Sequence, residues 1–282
     1  MSIKKIFLLF SILTGSFFQV QLLTYNPLYI AAQSGDFKMV KELVEHGVNI
    51  NEYNHSTEMW ADWYDQYVYL TPIYGAIYSK NIEIIEFLIH NGADLNTYGN
   101  GYHDYWPLMA AAKTSPQILE KLIQYGAFEG YEEALHILVN NNTETCFIKK
   151  ILEYHNSFDI NKNIFSELLV TAAKALRPIN LKTFNLLIDL GADVNYIVTF
   201  DSYHDRCYKG KTPLHIIADY SSNIREGFDA THLIIQNKID MVKILFNKGA
   251  NLHARDEDEK TPFEQAREAK IIESLKYKEV NI

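Results

Sequence analysis

The chain has 282 residues, 48% apolar, 22% charged and 13% aromatic, with a formal charge of −9. That apolar content excludes a disordered tail, and the acidic balance argues against a nucleic-acid partner, which needs a basic stripe to displace counterions from phosphates. Two cysteines are too few for a disulfide framework or a four-ligand zinc site.

The first sixteen residues differ from the rest. Lys4 and Lys5 precede the apolar run from Ile6 to Leu13, and the small residues Thr14, Gly15 and Ser16 follow. Basic patch, short apolar core and small-residue exit form the pattern of a secretory signal peptide, so 1–16 is expected to be a leader. Residues 17–282 are then an exported chain, periplasmic or secreted, and a cytoplasmic one if the leader is not cleaved. The run is too short to span a bilayer, which takes roughly 20 apolar residues, so no stable membrane span is expected. A retained helix capping the first structural unit is the competing reading.

From residue 26 onward the chain repeats itself. Asn26-Pro27-Leu28-Tyr29-Ile30-Ala31-Ala32 leads to Val40, Leu43 and Val44, and then to Gly47-Val48-Asn49-Ile50-Asn51. Thr71-Pro72-Ile73-Tyr74-Gly75-Ala76 leads to Ile85, Leu88, Ile89 and Gly92-Ala93-Asp94-Leu95-Asn96. Pro107-Leu108-Met109-Ala110-Ala111-Ala112 leads to Leu119, Leu122, Ile123 and Gly126-Ala127. A degenerate unit opens near 133 with Ala134-Leu135-His136 and ends at Asn156, and another opens near 167 and ends in Gly191-Ala192-Asp193-Val194-Asn195. Thr212-Pro213-Leu214-His215 begins the sixth, which ends in Gly249-Ala250-Asn251-Leu252, and Thr261-Pro262-Phe263 begins a polar terminal unit.

The local chemistry predicts two helices per unit. Asn26, Thr71, Thr212 and Thr261 are N-cap residues, and the proline that follows each suits a first helical turn, where its missing donor costs nothing. Alanines let neighbouring first helices approach, and an i, i+3, i+4 apolar stripe marks each second helix. Gly47, Gly92, Gly126, Gly191 and Gly249 fall where a helix ends in a left-handed residue.

The T-P-L-H-x-A opening and G-A-D-x-N ending resemble the ankyrin repeat. The resemblance implies an all-α solenoid of six to seven helix-turn-helix units over about 25–276, with long inserted hairpin loops, acting as a non-enzymatic scaffold that binds another protein through its concave face and loops. It also implies that His215 is structural, tying one turn to the next.

Three spacings between successive unit openings exceed the roughly 33-residue period by more than ten residues. One insertion, 52–69, carries Tyr53, Trp60, Trp63, Tyr64, Tyr67 and Tyr69 among Glu58, Asp62 and Asp65; another, 196–210, carries Tyr203, His204 and Tyr208; a shorter loop holds Tyr102 and His103. In the sixth unit the excess is expected between the helices, around 221–231. Exposed Trp and Tyr are enriched at binding hot spots. Trp60, Trp63, Tyr64, Tyr67, Tyr102, His103, Tyr203, His204 and Tyr208 are therefore expected to form an aromatic and acidic recognition edge for a protein partner, with the chain a monomer. A glycan is the alternative ligand, because the same rings stack on sugars, and rings that cover their own loops are the alternative without a ligand.

No metal, cofactor or catalytic site is expected. His204 and Cys207 form an H-x-x-C pair without further ligands, and Cys146 and Cys207 fall in different units, too far apart for a disulfide. The motifs H-E-x-x-H, G-x-S-x-G, G-x-x-x-x-G-K and strand-borne G-x-G-x-x-G are absent from the sequence. Asp256-Glu257-Asp258-Glu259 reads as a solvated turn, and Asn54-His55-Ser56 and Asn141-Asn142-Thr143 as conditional glycosylation acceptors.

Overall fold

The computed structural model describes residues 26–57, 67–99, 106–154, 163–175, 179–199, 208–220 and 228–279. It divides into two compact units, Met1–Ala134 and Leu135–Ile282. The proposed leader and the Asn156 helix end lie outside the described residues, as does Cys207. Among the described residues no helix is long and apolar enough to cross a membrane.

In the first unit the helix pairs are α1 (Pro27–Ser34) with α2 (Phe37–Glu45), α3 (Pro72–Ser79) with α4 (Ile82–His90), and α5 (Pro107–Thr114) with α6 (Pro116–Gln124). The first helices stack in series, α1 on α3 and α3 on α5. Their small residues make this possible, since Ala31, Ala32, Ala76 and Ala110 to Ala112 are all buried. The closest approach is at Gly75, where a Cβ would stand 2.7 Å from the carbonyl oxygen of Tyr29. The second helices bury one stripe, Val40 and Leu43 or Ile84, Ile85 and Leu88, and leave the other face to water.

The first insertion contains an antiparallel hairpin, β1 (Asn54–Thr57) with β2 (Tyr67–Leu70), in register from Asn54 opposite Leu70 to Thr57 opposite Tyr67. It is tied to the start of α1. Asn26 accepts from the backbone N–H of Leu28 at 2.9 Å, donates its own N–H to Asn54 Oδ1 at 2.8 Å, and donates from Nδ2 to the Glu52 carbonyl at 2.7 Å. Asn54 is thus buried and engaged, which removes it as a glycosylation acceptor.

Helix α7 (Tyr131–Asn140) spans the division. The second unit continues with α8 (Thr145–Leu152), α9 (Ile164–Lys174), α10 (Leu181–Asp189), α11 (Pro213–Ala218), α12 (Phe228–Asn247), α13 (Pro262–Gln265) and α14 (Ala269–Glu279). Here α9 packs on α11 and α11 on α13, while α10 packs on α12 and α12 on α14. The five expected glycines all adopt positive φ, and in the degenerate fourth unit Asn142 does so at 57°.

Three expectations are corrected. Thr71 occupies the N-cap of α3, yet its side chain makes no cap bond and its buried hydroxyl finds no partner. The sixth-unit excess is partly helical, because α12 begins at Phe228 and runs for 20 residues. Asp256 is buried, accepting from the backbone N–H groups of Asp258 and Lys260 at 3.0 and 2.9 Å and from Gln265, so the acidic turn is built around one structural carboxylate.

Candidate functional site

Of the residues expected at the recognition edge, Trp60, Trp63, Tyr64, Tyr102, His103, Tyr203 and His204 lie outside the described residues. Tyr67 starts β2 opposite Thr57. Tyr208 is half-buried, with the Lys174 ammonium 5.4 Å from its ring centre, so that ring is already engaged within its own unit.

What the structure describes is the base of the fingers, and three of them are built the same way. The helix ends in a left-handed glycine, and the asparagine that closes the motif reaches into the next finger. Asn51 donates from Nδ2 to the Gly92 carbonyl at 3.0 Å and accepts the Asp94 N–H at 2.9 Å. Asn96 repeats this with the Gly126 carbonyl at 3.3 Å and the Phe128 N–H at 2.8 Å. In the second unit Asn195 does so with Gly249 and Asn251, at 3.1 and 2.7 Å. One side chain satisfies a donor and an acceptor of its neighbour's backbone, which fixes the finger spacing.

On this frame the first unit presents a row of rings. The Tyr53 hydroxyl donates to the Tyr98 carbonyl at 3.1 Å and lies 3.2 Å from the Thr97 hydroxyl, and its ring meets Tyr69 edge-on at 6.4 Å. Tyr98 stands edge-on to Trp106 at 5.2 Å. From beneath, the fully buried Tyr74 of α3 donates its hydroxyl to the Thr97 carbonyl at 3.1 Å. Gly130 packs flat on Trp106, where a Cβ would stand 2.6 Å from the indole Cδ1. The rings are held in place yet remain accessible: Tyr53 is 37% exposed, and Tyr98 and Phe128 are 51% exposed.

The sequence does not mark Trp106 and Phe128, which sit at ordinary repeat positions outside the long insertions, and marks Tyr98 only as the start of the loop that holds Tyr102 and His103. Trp106 takes the N-cap position that threonine holds elsewhere, and Phe128 the place of aspartate in G-A-D, and those substitutions are the signal that could have found them.

The inner-helix side of the second unit is polar. Glu167 accepts from the Tyr196 hydroxyl at 3.2 Å, and burial pushes that phenol up. Asp219 is shared by Lys211 at 3.0 Å and Arg267 at 2.8 Å. His215 accepts the Thr212 N–H at Nδ1 and meets the Lys260 carbonyl from Nε2 at 3.0 Å, and burial pushes its pKa down. This is the structural tie that the repeat implied.

Among the described residues no group of three or more His, Cys, Asp or Glu is placed to hold a metal. A cavity of about 200 Å³ lies against Leu252, Phe263 and Leu275, with His253, Thr261 and Glu264 as its polar members, the last two joined in a capping box.

The model for three copies of ankyrin repeats matches residues 6–99, and the single ankyrin-repeat model matches residues 209–257. Among solved structures, the ankyrin repeat domain of Bcl-3, described as a unique member of the IkappaB protein family, is 21% identical with a TM-score of 0.60 over 89% of this chain and 98% of that one. The human ASB11 ankyrin repeat domain is likewise 21% identical, with a TM-score of 0.60 over 89% of this chain and 97% of its own. No curated protein matches the sequence. Capped helix pairs, left-handed glycine ends and asparagine-stapled fingers account for these matches, and the chain belongs to the ankyrin-repeat family.

Proposed function

We propose that the chain is a non-catalytic binding scaffold that captures another protein on the finger edge of its first unit. Ankyrin repeats in general mediate protein–protein interaction. The observation that carries the reading here is the row Tyr53, Tyr98, Trp106 and Phe128, whose rings are half-exposed while hydroxyl and asparagine bonds hold the backbone rigid. Aromatic anchors that need no ordering on binding are the residue type that dominates interface energetics.

A photo-crosslinking phenylalanine placed at Tyr98 tests this in cells. Protein adducts are expected from Tyr98 and not from the same probe at the exposed Lys41 on α2. Adducts to glycan alone would support the sugar-binding alternative and overturn this reading.

The N-terminal pattern from Lys4 to Ser16 supports action outside the cytoplasm. A second reading rests on the family match beginning at residue 6, within that segment, which favours a terminal helix retained in the stack. Sequencing the N-terminus of the mature protein separates the two: a start at or near Phe17 supports export, and a retained Met1 in a cytoplasmic fraction overturns it.

A further inference from the structure

The charge around the rings is one-sided. Over the described finger residues of the first unit, 46–57, 67–70, 91–99, 106 and 125–133, there are five carboxylates, Glu52, Asp94, Glu129, Glu132 and Glu133, and no lysine or arginine. The corresponding described residues of the second unit, 191–199 and 208–211, hold Asp193 against Lys209 and Lys211. Among the described residues, Glu52, Asp94 and Glu129 make no ion pair with a lysine or arginine.

Ring faces and unpaired carboxylates together select one kind of occupant. An arginine side chain stacks on a Tyr or Trp face through its planar guanidinium and donates to a carboxylate at the ring's edge. An anionic partner would meet repulsion along the whole edge, and a neutral sugar would leave the carboxylates unused. Accepting the finger edge as the recognition surface, we infer that it takes a basic, arginine-rich extended segment of another protein.

The test uses the full chain and three fluorescent eight-residue peptides in which glycine alternates with arginine, lysine or glutamate, followed by anisotropy. The arginine peptide is expected to bind best, the lysine peptide several-fold more weakly because it lacks the planar stack, and the glutamate peptide not at all. The triple variant Glu52→Gln, Asp94→Asn, Glu129→Gln keeps every acceptor oxygen the fold uses, and should weaken the arginine peptide about tenfold. A control with the same charge change elsewhere, Glu257→Gln, Asp258→Asn, Glu273→Gln, should leave binding unchanged. Equal losses in both variants would reduce the effect to net charge and overturn the inference, as would equal binding of the glutamate peptide. If Tyr98 crosslinks a protein but the arginine peptide does not bind, the recognition edge stands and its basic partner falls.

Discussion

At the scale of single residues, the third position after each N-cap determines how a unit holds its neighbour. In the sixth unit that residue is His215, which closes a capping box with Thr212 and reaches the Lys260 carbonyl of the following finger. In the second unit it is Tyr74, whose longer side chain spans to the Thr97 carbonyl of its next finger and offers nothing to the Thr71 hydroxyl. In the last unit it is Glu264, which accepts from the Thr261 N–H at 2.7 Å in a capping box that stays within the unit. One sequence pattern thus hides two thermodynamic situations. Thr212→Val should lose roughly 1–2 kcal/mol, because it removes a used cap and leaves the His215 backbone N–H without its acceptor. Thr71→Val should be neutral or slightly stabilising, because it removes a buried hydroxyl that has no partner. Urea denaturation of both variants checks the contrast, and equal losses would refute it.

At the scale of elements, helix starts were legible in the sequence and the course of α12 was not. Proline behind a cap residue marks α1, α3, α11 and α13 at the positions where they begin. The early start of α12 was hidden because two positions of its packed face are polar: Ile234 is buried, then Asn237 and Lys238 take the places where an apolar stripe would continue to Met241 and Leu245. Asn237 pairs with both backbone groups of Ile179, at 3.0 and 2.9 Å, and Lys238 donates to the Ala173 carbonyl at the end of α9 with the Tyr220 ring 5.8 Å away. The extension therefore braces the fifth and sixth repeats with polar bonds that no hydrophobic period reveals. Burial lowers the Lys238 pKa to about 7. The unfolded chain keeps the ordinary value near 10.5, so between about pH 7 and 10.5 it binds a proton the folded chain does not, and stability rises with pH across that window. Lys238→Met should flatten this rise and add roughly 1–3 kcal/mol near pH 7, read from denaturation midpoints at pH 7 and 9.5. The α1–α3 contact gives a second element-level test. Gly75→Ala places a methyl against the backbone of Tyr29, which cannot rotate away, and should cost roughly 1–3 kcal/mol in a thermal melt.

At the scale of the whole molecule, a repeat array is stable because each unit is coupled to the next, and here much of the coupling visible along the fingers is asparagine. The sequence shows G-A-D-x-N as the end of a helix. Only the structure shows its last residue as a staple, because the partner groups are backbone atoms of another repeat, 30 to 56 residues away. The same limit explains the candidate site: the long insertions drew attention by composition, while Tyr98 and Phe128 matter through their placement on the stapled frame. Stability and recognition then share one side chain. Asn96 accepts the N–H groups of Phe128 at 2.8 Å and of Glu129 at 3.1 Å, which places a ring and a carboxylate of the proposed edge. Asn96→Ala should lose roughly 1–2 kcal/mol and strip hydrogen-exchange protection from the Phe128 and Glu129 amides first. Asn195→Ala removes an equivalent staple from the second unit and should cost a similar amount of stability, yet leave arginine-peptide binding intact. If both variants weakened the peptide equally, the loss would follow global stability and not the edge; a loss confined to Asn96→Ala would tie recognition to the geometry that this one staple imposes.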